Sequence, residues 1–347
     1  MIDLSFMRFI AMPYKVFFAV LPVFIFSTSV NASNLSEMLQ RISRADQDQN
    51  YQGTFILRKA DELSSLRVTH GNDEKGVWET MEALNGEPRK VIRRNNQVVS
   101  IYPGRELVTV RQDSSNHSLH PQLPKNLEQL DYFYDIQQLD DDRIASHRSL
   151  VIDLIPKDKL RYGYRYWVDK STGMLLRCDL VDENGTVIEQ MMFTSLTYLS
   201  DSPEPPVVAS QFERYRQKTL DNFSVKIDEK TVSVNDDAAK WTVNILPKGF
   251  MLTQSNMRHS VPLTRDAASD IEMNSPDLLH MVYSDGLASV SVFIGKKRGK
   301  DDFLLGASKV GAMNAYGSSV DNYFVTVVGE VPMKTVQSMA QSTVKMK

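Results

Sequence analysis

Short apolar runs separated by turn residues dominate the chain from residue 51 onward. Phe55-Ile56-Leu57, Leu66-Arg67-Val68, Trp78 to Leu84, Lys90 to Ile92, Val98 to Tyr102 and Leu107 to Val110 each read as a strand. Gly71-Asn72, Asn85-Gly86-Glu87-Pro88, Asn95-Asn96 and Pro103-Gly104 read as the turns between them. That rhythm predicts an antiparallel meander or an open barrel. Residues 113 to 147 interrupt it: they are polar, carry Pro121 and Pro124, and predict one helix over Asn126 to Tyr134. The Asp140-Asp141-Asp142 run reads as a charged surface turn. Strands resume at Leu150 to Ile155, Gly163 to Val168, Met174 to Val181 and Thr186 to Leu196, with turns at Asp169 to Gly173 and Glu183-Asn184-Gly185. These later strands carry large apolar residues at both parities, so they face a buried layer on each side or line an apolar cavity. Ahead of the first strand, Asn34 as a cap, Glu37, and Leu35, Met38, Leu39 and Ile42 at helical spacing predict a helix.

Three prolines within Ser200 to Pro206 mark the sharpest boundary, because proline stiffens the backbone and removes ladder donors. The chain therefore divides into a larger domain (33–200), a linker (201–222) and a smaller domain (223–347). Strands are expected in the smaller domain at Trp241 to Leu246, Leu279 to Tyr283, Leu287 to Ile294 and Tyr323 to Val328, with Asp285-Gly286 as a hairpin turn. Helices are expected near Leu304 to Tyr316 and Lys334 to Val344, the latter with Val336, Met339, Ala340 and Val344 on one face. Nothing in the pattern promises a large fixed interface between the two domains.

Residues 1–32 stand outside this pattern. Arg8 and Lys15 precede the apolar run Val16 to Phe26, and Val30-Asn31-Ala32 places small residues for cleavage after Ala32. The run is shorter than the roughly 20 apolar residues a spanning helix needs. No cysteine lies near the cleavage site, so a lipid anchor is not supported. The expectation is a soluble exported protein. Hydrophobic residues at 42% and charged residues at 24% are enough for a real core. A formal net charge of −3 gives no argument for nucleic acid. Cys178 is the only cysteine, which excludes an intramolecular disulfide and reads as a small core residue.

No nucleophile elbow, phosphate-binding glycine loop or zinc-binding His-Glu-x-x-His helix is present. His117 and His120 have metal-compatible spacing, but in a Ser/Asn/Pro-rich loop without an acidic or cysteine partner nearby. Asp153 and Asp158 form one of many carboxylate pairs that a chain with 43 acids offers. No cofactor or metal is expected, and no enzymatic activity. The most unusual stretch is Arg161-Tyr162-Gly163-Tyr164-Arg165-Tyr166-Trp167. Alternation puts Tyr162, Tyr164 and Tyr166 on one face and Arg165 and Trp167 on the other. It reads either as a partner-binding surface rich in hot-spot residues or as one aromatic face packed into the core.

Tyr51-Gln52-Gly53-Thr54-Phe55 followed by Asn85-Gly86-Glu87-Pro88-Arg89 resembles the opening of the RseB/MucB family. Arg161 to Trp167, Asp169, Thr172-Gly173, Leu175-Leu176-Arg177, Asp179-Leu180, and Asp182-Glu183 through Glu189-Gln190 are similar to its central signature. His280 to Ile294 and Val327 to Pro332 continue the match, which covers nearly all of the predicted mature chain in order. Cys178 departs from it, where a serine or other small residue is expected. The resemblance implies an α+β fold: a larger LolA/LolB-like half-open antiparallel barrel closed by helices, and a smaller α+β domain. It also implies a periplasmic negative regulator that binds the periplasmic region of a membrane anti-sigma factor of the RseA/MucA kind. Binding would shield that partner from the site-1 protease, with release by lipid or lipopolysaccharide and with self-association. Arg161, Tyr162, Tyr164, Arg165, Trp167, His280, Ser284 and Asp285 are the candidate partner-binding residues. The alternative is a periplasmic lipoprotein or lipid carrier, which would share the barrel and the export signal but lack the second domain.

Overall fold

The computed structural model describes residues 45, 49–112, 127–206, 224–228, 240–258, 278–297 and 305–346. The export segment, the N-terminal helix (except Ala45, which is helical and buried), His117, His120 and residues 207–222 of the linker lie outside these. Eleven strands follow the meander in order: β1 (Tyr51–Lys59), β2 (Glu62–Asp73), β3 (Gly76–Ala83), β4 (Lys90–Arg94), β5 (Gln97–Tyr102), β6 (Leu107–Gln112), β7 (Tyr134–Ile144), β8 (His147–Pro156), β9 (Gly163–Asp169), β10 (Leu175–Val181) and β11 (Val187–Tyr198). With β12 (Ser224–Asp228) they form one sheet ordered β12-β6-β5-β4-β3-β2-β1-β11-β10-β9-β8-β7. Every pairing is antiparallel except β12 on β6, where Ser224 to Asp228 run parallel to Leu107 to Arg111. The sheet has two edges, β7 and β12, so it is open rather than closed into a barrel.

Its curvature is read from contacts that skip strands. His147, at the β7–β8 turn, brings Nε2 to 3.2 Å from the Leu196 carbonyl on β11, three strands along the sheet. Inside this curl β8 buries six consecutive residues, Ser149 to Leu154, as expected of a strand covered on both faces. The core holds Tyr51, Phe55, Tyr134, Ile152, Tyr166, Met174 and Phe193. The segment predicted as a helix over 126–134 is a 3-10 turn, Leu127–Tyr132, which inserts Leu130 into that core. Among the described residues no α-helix longer than Ala45 alone packs on this sheet's core, so closure of this sheet by α-helices is not what they hold.

Two further expectations fail here for physical reasons. Gly71-Asn72 is not a turn: β2 runs through it, and the turn falls at Glu74-Lys75. Gly71 is required for packing, since a Cβ there would lie 2.6 Å from the Trp78 ring. Asp140 to Asp142 lie within β7, where the pairing with β8 shifts between Leu139 and Asp142. An edge strand with one solvated side tolerates such charge, which hides it from apolar periodicity.

A second sheet, β14-β15-β16-β19-β18-β17, contains β14 (Met251–Arg258), β15 (Leu278–Ser284), β16 (Ser289–Lys296), β17 (Gly306–Val310), β18 (Met313–Val320) and β19 (Tyr323–Gly329). Helix α1 (Met333–Ser342) packs on it, flanked by the pair β13 (Trp241–Val243) and β20 (Thr343–Lys345). Val336, Met339 and Ala340 of α1 are fully buried with Met281, Val290, Val292, Val325 and Val327, as the spacing predicts. Val344 leaves that face, because the helix ends at Ser342 and Val344 pairs in β20. The helix expected over Leu304 to Tyr316 is instead the β17–β18 hairpin, turning at Gly311 with φ +60°. Pairing along β19 outweighs the apolar spacing, and Gly306 and Gly311 are poor helix formers in any case. Beyond Ala45, the described residues hold one α-helix against twenty strands, a mainly antiparallel β architecture.

Candidate interface between the two sheets

The loop between β8 and β9 carries Arg161 and Tyr162, the start of the aromatic-basic stretch, toward the second sheet, and Arg161 is the centre of the contact. The Arg161 side chain is wholly buried, and its guanidinium pairs with Asp285 in the β15–β16 turn. It also pairs with Asp158 of its own loop, Nε to Oδ1 at 3.2 Å and Nη2 to Oδ2 at 2.9 Å. Nη2 donates a further bond to the Lys248 carbonyl at 2.7 Å. Three rings surround the cation: Phe133 and Tyr134 from the first sheet at 5.1 and 5.7 Å, and Phe250 from the second at 5.4 Å. Asp285 is fixed from behind, because its Oδ1 accepts the Leu287 and Ala288 N–H groups at 3.0 and 2.8 Å. Burial opposes the charge on Arg161, but the bond to Asp158 and the charges of Asp285 and Asp158 more than offset this, so its pKa rises. Burial pushes the Tyr134 hydroxyl well above its ordinary range, helped by Asp285 and opposed by Arg161.

Neutral contacts extend the junction on both sides. Asn314 of β18 donates to the Tyr162 hydroxyl at 2.9 Å and to the Val331 carbonyl at 2.7 Å. Thr335, in the first turn of α1, donates to the Leu160 carbonyl at 2.6 Å. Tyr162, Leu180 and Ala312 make a small shared core, and Leu287 packs against the core of the first sheet. Gly249, with φ +88°, sits so close to Phe133 that a Cβ would fall 2.2 Å from the ring. At the rim, Lys59 bridges Glu189 at 3.0 Å and Glu330 at 3.4 Å. Burial of Lys59 works against its charge, but the two glutamates raise its pKa on balance. Two sheets are thus joined by an ion triad, with Arg161 and Asp285 fully buried and Asp158 partly exposed, and with hydrogen bonds on each flank, contrary to the absence of a fixed interface that the linker suggests. Such a triad fixes geometry more than it adds net stability, and losing one partner strands a buried charge.

Comparison of the whole chain with known families gives two matches in order. The MucB/RseB N-terminal domain matches residues 34–214, and the MucB/RseB C-terminal domain matches residues 235–344. The chain belongs to the MucB/RseB family. Relatives include the sigma-E factor regulatory protein RseB of Salmonella typhimurium, 28% identical over 91% of this chain and 93% of the relative. The sigma factor AlgU regulatory protein MucB of Pseudomonas aeruginosa is 28% identical over 90% of this chain and 92% of the relative. Among solved structures, MucB in complex with MucA(peri) aligns at TM-score 0.63 and 26% identity, covering 90% of this chain and 99% of that one. The Pseudomonas aeruginosa MucA/MucB complex aligns at TM-score 0.65 and 25% identity with the same coverage.

The triad therefore joins the N-terminal and C-terminal domains of a MucB/RseB protein. Of the eight residues singled out in the sequence, Arg161, Tyr162, Trp167, His280 and Asp285 are buried, Tyr164 and Ser284 are partly buried, and the Arg165 side chain is 39% exposed. Arg161 and Asp285 meet directly, Tyr162 reaches Asn314, and Ser284 braces the Asp285 turn by bonding the Ala288 carbonyl at 2.8 Å. The alternation along β9 holds. Tyr164 stacks on Tyr166 on one face (5.8 Å, 5°), and on the other Arg165 pairs with Asp153 at 2.5 Å. Trp167 donates to Asp142 at 2.8 Å under the Arg177 guanidinium, 4.0 Å from its ring centre. His280 stands apart on β15, stacked on Phe293 at 4.5 Å and bonded to Ser291 at 3.0 Å. Cys178 packs against the N-terminal core, where burial pushes its thiol pKa up. Lys248, Phe250, Asn314 and Thr335 were missed, and Asp158 was noted only as one carboxylate among many, not as a partner of Arg161. The one local cue was Gly249, in a Pro-Lys-Gly-Phe turn. Among the described residues no three His, Cys, Asp or Glu side chains cluster to hold a metal, and no helix is long and apolar enough to cross a membrane.

Proposed function

We propose that this chain is a periplasmic negative regulator of a sigma-E type envelope-stress response. It binds the periplasmic region of a membrane anti-sigma factor and shields it from the site-1 protease. The observation that carries this reading is the match of both domains, in order, to proteins named as sigma factor regulators, with the MucB–MucA complexes aligning over 99% of the solved MucB chains. The N-terminal export segment, with cleavage after Ala32 and no lipid anchor, fits a periplasmic address. Its role is binding rather than catalysis. The N-terminal domain (33–200) is read as a LolA/LolB-like half-open barrel, supported by its curl and by Leu130 filling the concave side. Residues 201–222 serve as linker to the anti-sigma-binding domain, 223–347. Arg161, Tyr162, Ser284 and Asp285 act on the partner by holding the two domains in one arrangement, and Tyr164, Arg165, Trp167 and His280 by shaping the strands beside it. A lipid carrier would need only the N-terminal sheet, and the buried Arg161–Asp285 pair that docks a second domain speaks against it.

Release by lipid or lipopolysaccharide requires that the ligand bind two domain arrangements unequally. A coupling of about 1–3 kcal/mol changes affinity roughly 5- to 150-fold, and linkage makes it reciprocal. Capture of the anti-sigma factor from the membrane extract of the same cell by the exported protein tests the partner. Titration of an acyl-chain ligand with and without the partner's periplasmic segment tests the switch, and equal lipid affinity in both titrations refutes it.

A further inference from the structure

Two Asn-Gly steps occur in the chain, Asn85-Gly86 and Asn184-Gly185, and both stand in turns that the regulatory reading leaves unused. In such a step the main-chain nitrogen of glycine can attack the preceding carboxamide, because no side chain shields it. A cyclic imide forms as the bond from the glycine nitrogen to Cγ is made and the Cγ–Nδ2 bond breaks. The glycine amide proton passes to solvent, and Nδ2 takes up a proton and leaves as ammonia. Water, the only co-reactant, then opens the ring at either carbonyl, giving aspartate or the β-linked isoaspartate.

The fold sets the two steps apart. Both asparagines and both glycines are exposed, φ is +73° at Gly86 and +82° at Gly185, and nothing lies within 4 Å of a Cβ built on either glycine. Asn85 is held at both ends of its carboxamide: Oδ1 accepts the Ser65 N–H at 2.6 Å, and Nδ2 donates to the Leu63 carbonyl at 2.8 Å. Both partners are main-chain groups of β2, so the carboxamide must leave that strand before Gly86 attacks it. Asn184 lies in the turn between β10 and β11, where its main-chain N–H donates to Asp182 Oδ1 at 2.9 Å. The Thr186 N–H shares that oxygen at 2.8 Å, which holds the turn in shape without engaging the reacting amide. Among the described residues nothing bonds the Asn184 carboxamide. One restraint opposes the attack: the Gly185 N–H donates to the Asp182 carbonyl at 3.1 Å, a single bond against the two that hold Asn85.

We propose that Asn184 is a site of spontaneous deamidation and isoaspartate formation in the folded protein, and that Asn85 is protected. The location gives the modification a consequence. The turn joins β10, whose Leu180 shares a small core with Tyr162 and Ala312, to β11, whose Glu189 bridges Lys59. Burial raises the Tyr162 pKa, the bond from Asn314 opposes this, and the charges of Glu183 and Asp182 add to it, so the field of the turn already reaches the junction. Deamidation places a third consecutive carboxylate there, after Asp182 and Glu183, and the β-linkage lengthens the turn by a main-chain atom.

The test ages the full chain at mildly alkaline pH, once folded and once in urea. Trypsin places the two steps in separate peptides, Gly76–Arg89 and Cys178–Arg214, whose conversion is followed by mass spectrometry. Isoaspartate is read by methyl transfer from S-adenosylmethionine with a protein isoaspartate methyltransferase. One hydrogen bond fewer to break should let the folded chain convert Asn184 roughly fivefold faster than Asn85. In urea those bonds are gone, and the two rates should converge. Asn184→Gln should remove most of the methyl acceptance of the aged folded chain, because the longer side chain closes only through a larger, slower-forming ring. Equal rates in the folded chain, faster conversion at Asn85, or the same ratio in urea as in the folded state overturns the proposal. Methyl acceptance that survives Asn184→Gln overturns it as well.

Discussion

Replacing the two ends of the inter-domain ion pair should have unequal effects, and replacing both should be milder than replacing the arginine alone. Arg161→Met keeps the apolar stem of the side chain but removes every charge-assisted bond and the guanidinium over the three rings. Asp158 is 32% exposed and can rehydrate, whereas Asp285 has no exposed surface and keeps only its two backbone donors. A stranded buried charge costs about 3–5 kcal/mol. Asp285→Asn leaves an acceptor for the Leu287 and Ala288 N–H groups and leaves Arg161 paired with Asp158 and Lys248. It loses one charged hydrogen bond, about 1.5–3 kcal/mol. In the double variant no charge is stranded, so it should recover about 1–2 kcal/mol relative to Arg161→Met. Urea unfolding at pH 7, followed by tryptophan fluorescence, measures this. Trp78 and Trp167 lie in the N-terminal domain and Trp241 in the C-terminal one, so a Trp241→Phe background assigns each transition. A double variant as unstable as the sum of the singles, or equal costs for the two singles, refutes the triad as the element that docks the domains.

Gly249→Ala and Gly286→Ala separate crowding from backbone strain. Both have positive φ, +88° and +98°, but only Gly249 meets a ring, so Gly286→Ala should cost about 1 kcal/mol and Gly249→Ala clearly more in the same unfolding assay. Asn314→Ala should destabilise by about 1–3 kcal/mol, because the buried Val331 carbonyl and Tyr162 hydroxyl lose their shared donor, while Tyr162→Phe costs less. Asp169 is buried, which raises its pKa, but bonds from Ser171, Tyr198 and the Ser171 and Thr172 amides outweigh burial and lower it on balance. Its stabilising effect is therefore fully present above the unfolded carboxyl value of about 3.9 and is lost as pH falls through the lower folded value. His147 Nδ1 also lies 3.0 Å from Asp169 Oδ2, so the diagnostic window is the acid limb alone. There the stability gap between the parent and Asp169→Asn should shrink as pH falls below about 4. A gap that widens below about 4 contradicts this assignment.

Most strands were legible from sequence because each depends on local alternation and on turn chemistry. Leu66 to Val68, Val98 to Tyr102 and Asp285-Gly286 announce themselves within ten residues. What was lost follows the same logic. β7 is polar because it is an edge, and the β17–β18 hairpin has apolar spacing that suits a helix until β19 supplies a pairing surface. The aromatic-basic stretch was recognised as unusual, yet its composition could not say whether its partner lay outside the chain or within it. Tyr, Trp and Arg serve a desolvated contact equally well in both cases.

The sequence by itself determined the strand meander, the proline break after Ser200, the buried face of α1 and membership in the MucB/RseB family. These are carried by period, by turn residues and by motifs a few positions long. Only the tertiary structure decided that Arg161 closes on Asp285, 124 residues away, inside a box of Phe133, Tyr134 and Phe250. The chain carries 40 basic and 43 acidic residues, so charge alone names no pair. Burial does, because a desolvated guanidinium is tolerated only where carboxylates and carbonyls meet it in fixed geometry, and that geometry exists only once both sheets have formed.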